Sequence, residues 1–313
     1  MTYIKMFLLA GLISTMVSAQ GQGERKNAPQ IPADVMIEAL QPKAYCTFVP
    51  ERADDFAVEN NYIAMRFYGP ALRDNVEDAG CDCWIKNVEY PIIEKWYKLS
   101  FEGYSYHEDR GEGWDPYKVG SSAGMGGTAL WIDGDREGLN CFTEWEIMEN
   151  GPDRCSFILT YEAEINGSTY KEEKHITLEM DQRLYTAEST FWKDGKIAKD
   201  LPVCVGLATH DGNAISTADP ASGWISCWET MADDNGLGTA AAMDPAQIKS
   251  VEYIPGKSVT GEDYSGHILL VAETNEQGKI NYAAGYGSEA AGDIISQEIW
   301  TAYLKEYCKE TFK

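Results

Sequence analysis

The residues able to do chemistry are densest between positions 104 and 127, in the run Tyr104-Ser-Tyr-His-Glu-Asp-Arg-Gly-Glu-Gly-Trp-Asp-Pro-Tyr-Lys-Val-Gly-Ser-Ser-Ala-Gly-Met-Gly-Gly127. The run has neither the period of a helix nor that of a strand. Its glycines permit sharp turns and close backbone approach, and such loops carry function on a rigid scaffold. His107 is one of four histidines in the chain, and imidazole is the side chain suited to proton transfer near neutral pH. Tyr106 and Tyr117 offer phenolic protons. Asp109, Glu112 and Asp115 offer carboxylates, either for acid–base work or, with Asp133 and Asp135, as oxygen ligands for a structural calcium ion. Their spacing fits no calcium loop, so solvated turn acids are the simpler reading and no cofactor is expected. Trp114 is the ring placed to stack on a sugar.

Outside the run, His210 ends the apolar segment Val203-Cys-Val-Gly-Leu-Ala-Thr-His210 and opens a loop. A strand-end histidine over a loop is well placed for acid–base work, although a structural role suits it equally. His175 and His267 read as ordinary strand residues. Arg66 alternates with Ala64 and Tyr68 on one face of a strand, where a guanidinium needs a partner. Arg52 is a second fork for a carboxylate, or else an internal ion pair of the nearby acids. Serine-nucleophile, phosphate-loop and dinucleotide signatures are absent.

These residues need a scaffold, and the patterning supplies one. Residues 1–19 read as a secretory signal peptide, with Lys5, an apolar stretch and a Val-Ser-Ala cleavage site. Residues 20–34 read as a flexible leader and 35–313 as one domain, exported to the periplasm or beyond. No later stretch is long and apolar enough to span a bilayer. The net charge of −24 disfavours nucleic acid and anionic membranes as partners. It also opposes an acidic substrate unless local cations reverse the field. Eight cysteines in an exported chain suggest one or two disulfides inside a real core. Period-two segments follow one another at roughly ten-residue spacing. They include 63–67, 157–165 before Asn166-Gly167, 176–180, 184–192, 203–208, 224–229, 267–273 and 280–286. Residues 51–61 read as a polar loop. A short helix is expected near 91–100 and a C-terminal helix across 289–312. The pattern is all-β, a large antiparallel sandwich.

Several blocks resemble a secreted bacterial family, the domain of unknown function 4861. They are Arg52-Ala-Asp-Asp-Phe-Ala-Val-Glu-Asn60, Met65-Arg-Phe-Tyr-Gly-Pro-Ala-Leu72, Asp82-Cys-Trp-Ile-Lys86, Tyr106-His-Glu-Asp-Arg-Gly-Glu-Gly-Trp-Asp115, Tyr117-Lys-Val-Gly120 and Glu298-Ile-Trp-Thr-Ala-Tyr-Leu304. The resemblance implies a galactose-mutarotase-like supersandwich and an oligosaccharide or polysaccharide substrate. It also implies a lyase or dehydratase that eliminates across a uronic acid residue. Arg66, with Arg52 or Lys86, would then neutralise the carboxylate, His107 or His210 would be the base, and Tyr106 or Tyr117 the acid. Asp109, Glu112 and Trp114 would contact the sugar. A glycoside hydrolase, an aldose-epimerase-like enzyme and a non-catalytic carbohydrate-binding sandwich remain alternatives, because fold does not choose among them.

Overall fold

The computed structural model describes residues 40–73, 75, 80–231, 234–256 and 266–312. The expected signal peptide and leader, and the first residues of the expected domain, lie outside the described residues.

In chain order the strands are β1 (Tyr45–Val49), β2 (Asp55–Glu59), β3 (Ala64–Phe67), β4 (Cys81–Lys86), β5 (Gly113–Trp114), β6 (Met125–Ile132), β7 (Asp135–Glu137), β8 (Glu144–Asn150), β9 (Arg154–Ile165) and β10 (Ser168–Glu179). They continue as β11 (Leu184–Lys193), β12 (Lys196–Ile197), β13 (Pro202–Ala208), β14 (Ile215–Asp219), β15 (Trp224–Thr230), β16 (Gly236–Met243), β17 (Ile248–Ile254), β18 (His267–Glu273) and β19 (Lys279–Ser288). Helix α1 (Ile93–Phe101) follows β4, and α2 (Gln297–Thr311) closes the chain.

The strands form three antiparallel sheets. The first keeps the order β1-β2-β3-β4-β5. The largest runs β14-β15-β16-β19-β11-β10-β9-β8, with β12 beside β11, and the third runs β17-β18-β13-β6-β7. The chain is all-β, a sandwich with two helices among the described residues. Asn166 and Gly167 both take positive φ, 53° and 78°, which matches the twist of a two-residue hairpin and sets Ile165 opposite Ser168. That register points Phe157, Leu159, Tyr161, Ile176 and Leu178 into the main core. Each such side chain contributes about 1.5–3 kcal/mol by leaving water.

The first sheet is buried on both faces, and this is what positions the site. Phe56, Val58, Met65, Phe67, Cys81 and Cys83 enter the main core. The opposite face carries Ala57, Ala64 and Trp84, which pack beneath α1 against Trp96, Tyr97 and Tyr106. Residues 55–59 are therefore a buried strand and not the loop that their two acids suggest. Glu59 turns its carboxylate to accept from the Ile92 and Ile93 amides at 2.9–3.0 Å, satisfying donors at the start of α1.

Two expectations are corrected. The C-terminal helix does not begin near 289: a 3-10 turn over Glu289–Ala291 ends at left-handed Gly292, and Ser296 caps α2 by accepting from the Ile299 amide. Its core face is Trp300, Leu304 and Cys308, while Ile295 and Ile299 are exposed. The eight cysteines are all buried free thiols, small apolar residues of the core and not staples.

Trp300 fills a space that only glycine leaves on β16: a Cβ on Gly238 would stand 2.5 Å from its ring. Trp300→Ala should therefore cost about 3–5 kcal/mol, read as a lowered urea midpoint. A loss below about 1 kcal/mol would mean that α2 is not anchored by this ring.

Candidate functional site

The buried face of the first sheet is built around a cation. Register places Arg66 on β3 directly opposite Asp82 on β4, with Nε 2.8 Å from Oδ2. Its other nitrogens lie 3.3 Å from Asp115 and 3.6 Å from Asp55. Rings of Tyr68, Trp84 and Tyr106 surround the guanidinium at 5.4–5.6 Å. The Tyr106 hydroxyl accepts from Arg66 at 3.2 Å and from Nε of Arg52 at 3.0 Å. Asp55 also accepts from the Tyr97 hydroxyl, and Asp82 from the Trp84 indole.

Three carboxylates around one buried guanidinium cannot all ionise cheaply, so the cluster retains a proton. Burial first, and then the charge of Asp115, push the Asp82 carboxyl up to about 8. Burial raises Asp115 to about 6 against the pull of Arg66 and Arg52. One oxygen each of Asp82 and Asp115 is buried without a hydrogen-bond partner.

Tyr106 and Asp115 of the run 104–127 pack on this face, Trp114, Tyr117, Val119 and Met125 enter the main core, and three histidines fasten the run. His107 Nδ1 meets the Asp115 carbonyl at 2.8 Å. His210 Nε2 meets the Lys118 carbonyl at 2.7 Å, while its Nδ1 faces both Glu229 oxygens at 2.9–3.0 Å. His267 Nε2 accepts from the Ala123 amide at 3.0 Å, and burial drives its pKa down to about 3, so this ring is neutral. Both His210 nitrogens face oxygens of other elements, so the ring is held at each end. His107 differs. Its Nδ1 must donate to the carbonyl, so the neutral ring keeps its lone pair on Nε2, and the side chain is 59% exposed. Two glycines let the run lie this close: a Cβ on Gly113 would sit 1.9 Å from the Ile85 carbonyl, and one on Gly124 2.2 Å from that of Cys81.

Arg66 and His210 thus converge on the run from distant strands. The other expected residues are placed as follows. Lys86 is buried and closed onto Glu59 at 2.9 Å and the Asn60 carbonyl. Glu112 accepts from Tyr90, Lys95 and Trp96 of the α1 region. Burial opposes its ionisation, yet these hydrogen bonds hold it below its ordinary value. Asp109 accepts from the Gly111 and Gly113 amides in a local turn. Trp114 and Tyr117 are core residues. The Tyr117 hydroxyl has no hydrogen-bond partner, and its ring stands edge-on to His210 at 4.8 Å. Among the described residues no group of three or more His, Cys, Asp or Glu is placed to hold a metal ion.

Sequence reasoning missed Asp55, Asp82, Glu229 and His267. Asp82, an acid alternating with two cysteines on β4, carried the one legible hint, since its neighbours' burial implies a covered strand.

Residues 14–313 match the family described as Domain of unknown function (DUF4861), and the chain belongs to it. It is 36% identical over 279 residues to uncharacterized protein P7 of Formosa agariphila, covering 85% of this chain and 67% of that protein. Among solved structures it is similar to heparan sulfate lyase HepC from Pedobacter heparinus, at 12% identity and a TM-score of 0.43 over 91% of this chain and 41% of that one. It is also similar to 4-alpha-glucanotransferase from Thermococcus litoralis, at 12% identity and a TM-score of 0.34 over 79% and 40%. The chain spans about two fifths of the length of these solved chains.

The acid cluster makes stability depend on pH. Raised carboxyl pKa values stabilise the fold fully below the unfolded value of 3.8, and this contribution is lost as pH rises through about 6 and about 8. The melting temperature should therefore fall between pH 5 and pH 9, with a slope of up to about 1.4 kcal/mol per pH unit for each proton released. Asp82→Asn, which mimics the protonated form, should flatten the profile. Parallel profiles for the two proteins would show that Asp82 does not hold the proton.

Proposed function

We propose that this chain is a carbohydrate-active enzyme of the lyase or dehydratase type, eliminating across a uronic acid residue of an oligosaccharide. The observation that supports it most is the state of His107. A backbone carbonyl fixes its tautomer, leaving a basic Nε2 on an exposed ring. The neighbouring Tyr106 ring lies 4.6 Å away, and its hydroxyl is gripped by Arg52 and Arg66.

In this reading the partly exposed Arg52 receives the uronate carboxylate, with the fixed charge of Arg66 behind it. Neutralising that carboxylate acidifies the adjoining carbon. His107 Nε2 removes the proton, and the freed electron pair forms a carbon–carbon double bond as the neighbouring carbon–oxygen bond breaks. The departing oxygen takes the Tyr106 proton. His210, held at both nitrogens, positions the loop and does not exchange protons with the substrate. Asp109 and Glu112 are occupied in a turn and at α1, which weakens the two-carboxylate arrangement that glycoside hydrolysis requires.

The test is incubation with oligosaccharides ending in different uronic acids, followed by ultraviolet absorbance of the conjugated product and by mass. Turnover should fall about 10²–10⁴-fold in His107→Ala, while Arg52→Ala should act mainly on KM. No new absorbance and no mass change across the panel would sink the elimination reading. Release of a saturated sugar would replace it with hydrolysis.

A further inference from the structure

The outer face of the large sheet carries a second feature, remote in sequence from the loop site. Side chains of β10, β11 and β19 that point away from the core line a groove of about 350 Å³, including His175, Thr177, Thr186, Glu188 and Asn281, with Tyr307 and Phe312 of the C-terminal segment at its end. A second hollow of about 490 Å³ lies further along β10 and β11, around Lys171, Trp192 and Asp194. Register joins them: Thr177 stands opposite Thr186, His175 opposite Glu188, Glu173 opposite Thr190 and Lys171 opposite Trp192. From Thr186 to Trp192 the strand advances six residues, about 20 Å.

We propose that this face is a binding platform for an uncharged oligosaccharide chain, separate from the loop site. Aromatic rings stand at both ends, Tyr307 and Phe312 at one and Trp192 at the other, and hydroxyl, amide and imidazole groups lie between them. Alternating sugar faces and hydroxyl rims require that combination, since rings stack on the apolar faces while polar groups bond the rims. His175 Nε2 lies 2.7 Å from the Ser156 oxygen, which fixes the ring in the groove. Charge complementarity points to a neutral ligand. Lys171 closes onto Glu173 at 2.7 Å and Lys279 onto Glu188 at 2.6 Å, so both lysines are spent within the face. The platform would hold a polymer while its end is processed elsewhere, yet its existence does not depend on the elimination reading.

The experiment is native affinity electrophoresis in gels containing xylan, galactomannan or mixed-linkage β-glucan. At least one polymer should retard the wild-type chain. Trp192→Ala should weaken that retardation at least tenfold, and so should Thr186→Arg, an exposed change that fills the groove with the fold intact. His107→Ala should leave retardation unchanged. No retardation in any of the three gels would overturn the proposal, as would equal retardation of both groove variants. Sedimentation showing a wild-type dimer that Thr186→Arg dissolves would assign the face to a second copy of the chain instead.

Discussion

One guanidinium organises the first sheet and everything laid over it. Arg66 stands mid-strand with 6% of its surface exposed, where an uncompensated charge would be very costly. Its compensation comes from three directions. Asp82 is across the strand pair on β4, Asp55 lies on β2 at the other side of β3, and Asp115 belongs to the overlying loop. The first two are set by sheet register, Asp55 standing two residues from Ala57, the residue opposite Arg66. Only the third must be brought in, and Asp115 arrives only if the stretch from Tyr106 to Asp115 packs on the face. The cation therefore acts as a fastening point for the loop that carries His107.

The histidines divide this fastening according to what each ring faces. His267 faces a donor and is neutral, His210 faces oxygens at both nitrogens, and His107 faces Asp115 through Nδ1 with the rest of its ring towards solvent. Residue type is identical in all three, so their separate roles come wholly from the backbone groups opposite them. The left-handed φ of His210, 47°, fits a residue whose ring is held between Glu229 on β15 and the Lys118 carbonyl of the loop.

This explains which parts of the molecule were legible from sequence. Alternating segments with clear turns, such as β9 and β10 about Asn166-Gly167, declare themselves because only one of their faces is apolar. Strands β2 and β4 did not. Asp55, Glu59, Asp82 and Lys86 look like surface residues until α1 and Tyr106 cover them, and nothing local announces that cover. The pattern predicts the C-terminal helix but starts it too early, because the apolar residues Ile294 and Ile295 continue its period between Gly292 and the Ser296 cap. Residue type, position in the pattern and the family resemblance single out Tyr106, His107, Arg52 and Arg66, and these do come together. Lys86, Glu112 and Trp114 were named on the same grounds and are occupied in the framework. Residue type cannot tell a side chain that reaches solvent from one already spent on a neighbour.

The net charge of −24 would seem to forbid an acidic substrate, and the cluster shows how the objection can be met locally. Arg52 and Arg66 supply two positive charges, and Asp55, Asp82 and Asp115 supply up to three negative ones. With the one proton that burial keeps on the acids, the sum around Tyr106 is zero. Below about pH 8 the proton that burial holds on Asp82 removes one negative charge from beneath Arg66, although the molecule is strongly anionic. The remaining charge lies on the surface, where salt screens it beyond roughly 8–10 Å. A buried acid held protonated beneath two guanidinium groups thus lets an acidic chain present a cationic edge at Arg52. The same burial that makes the cluster costly to fold is what keeps that edge from being neutralised.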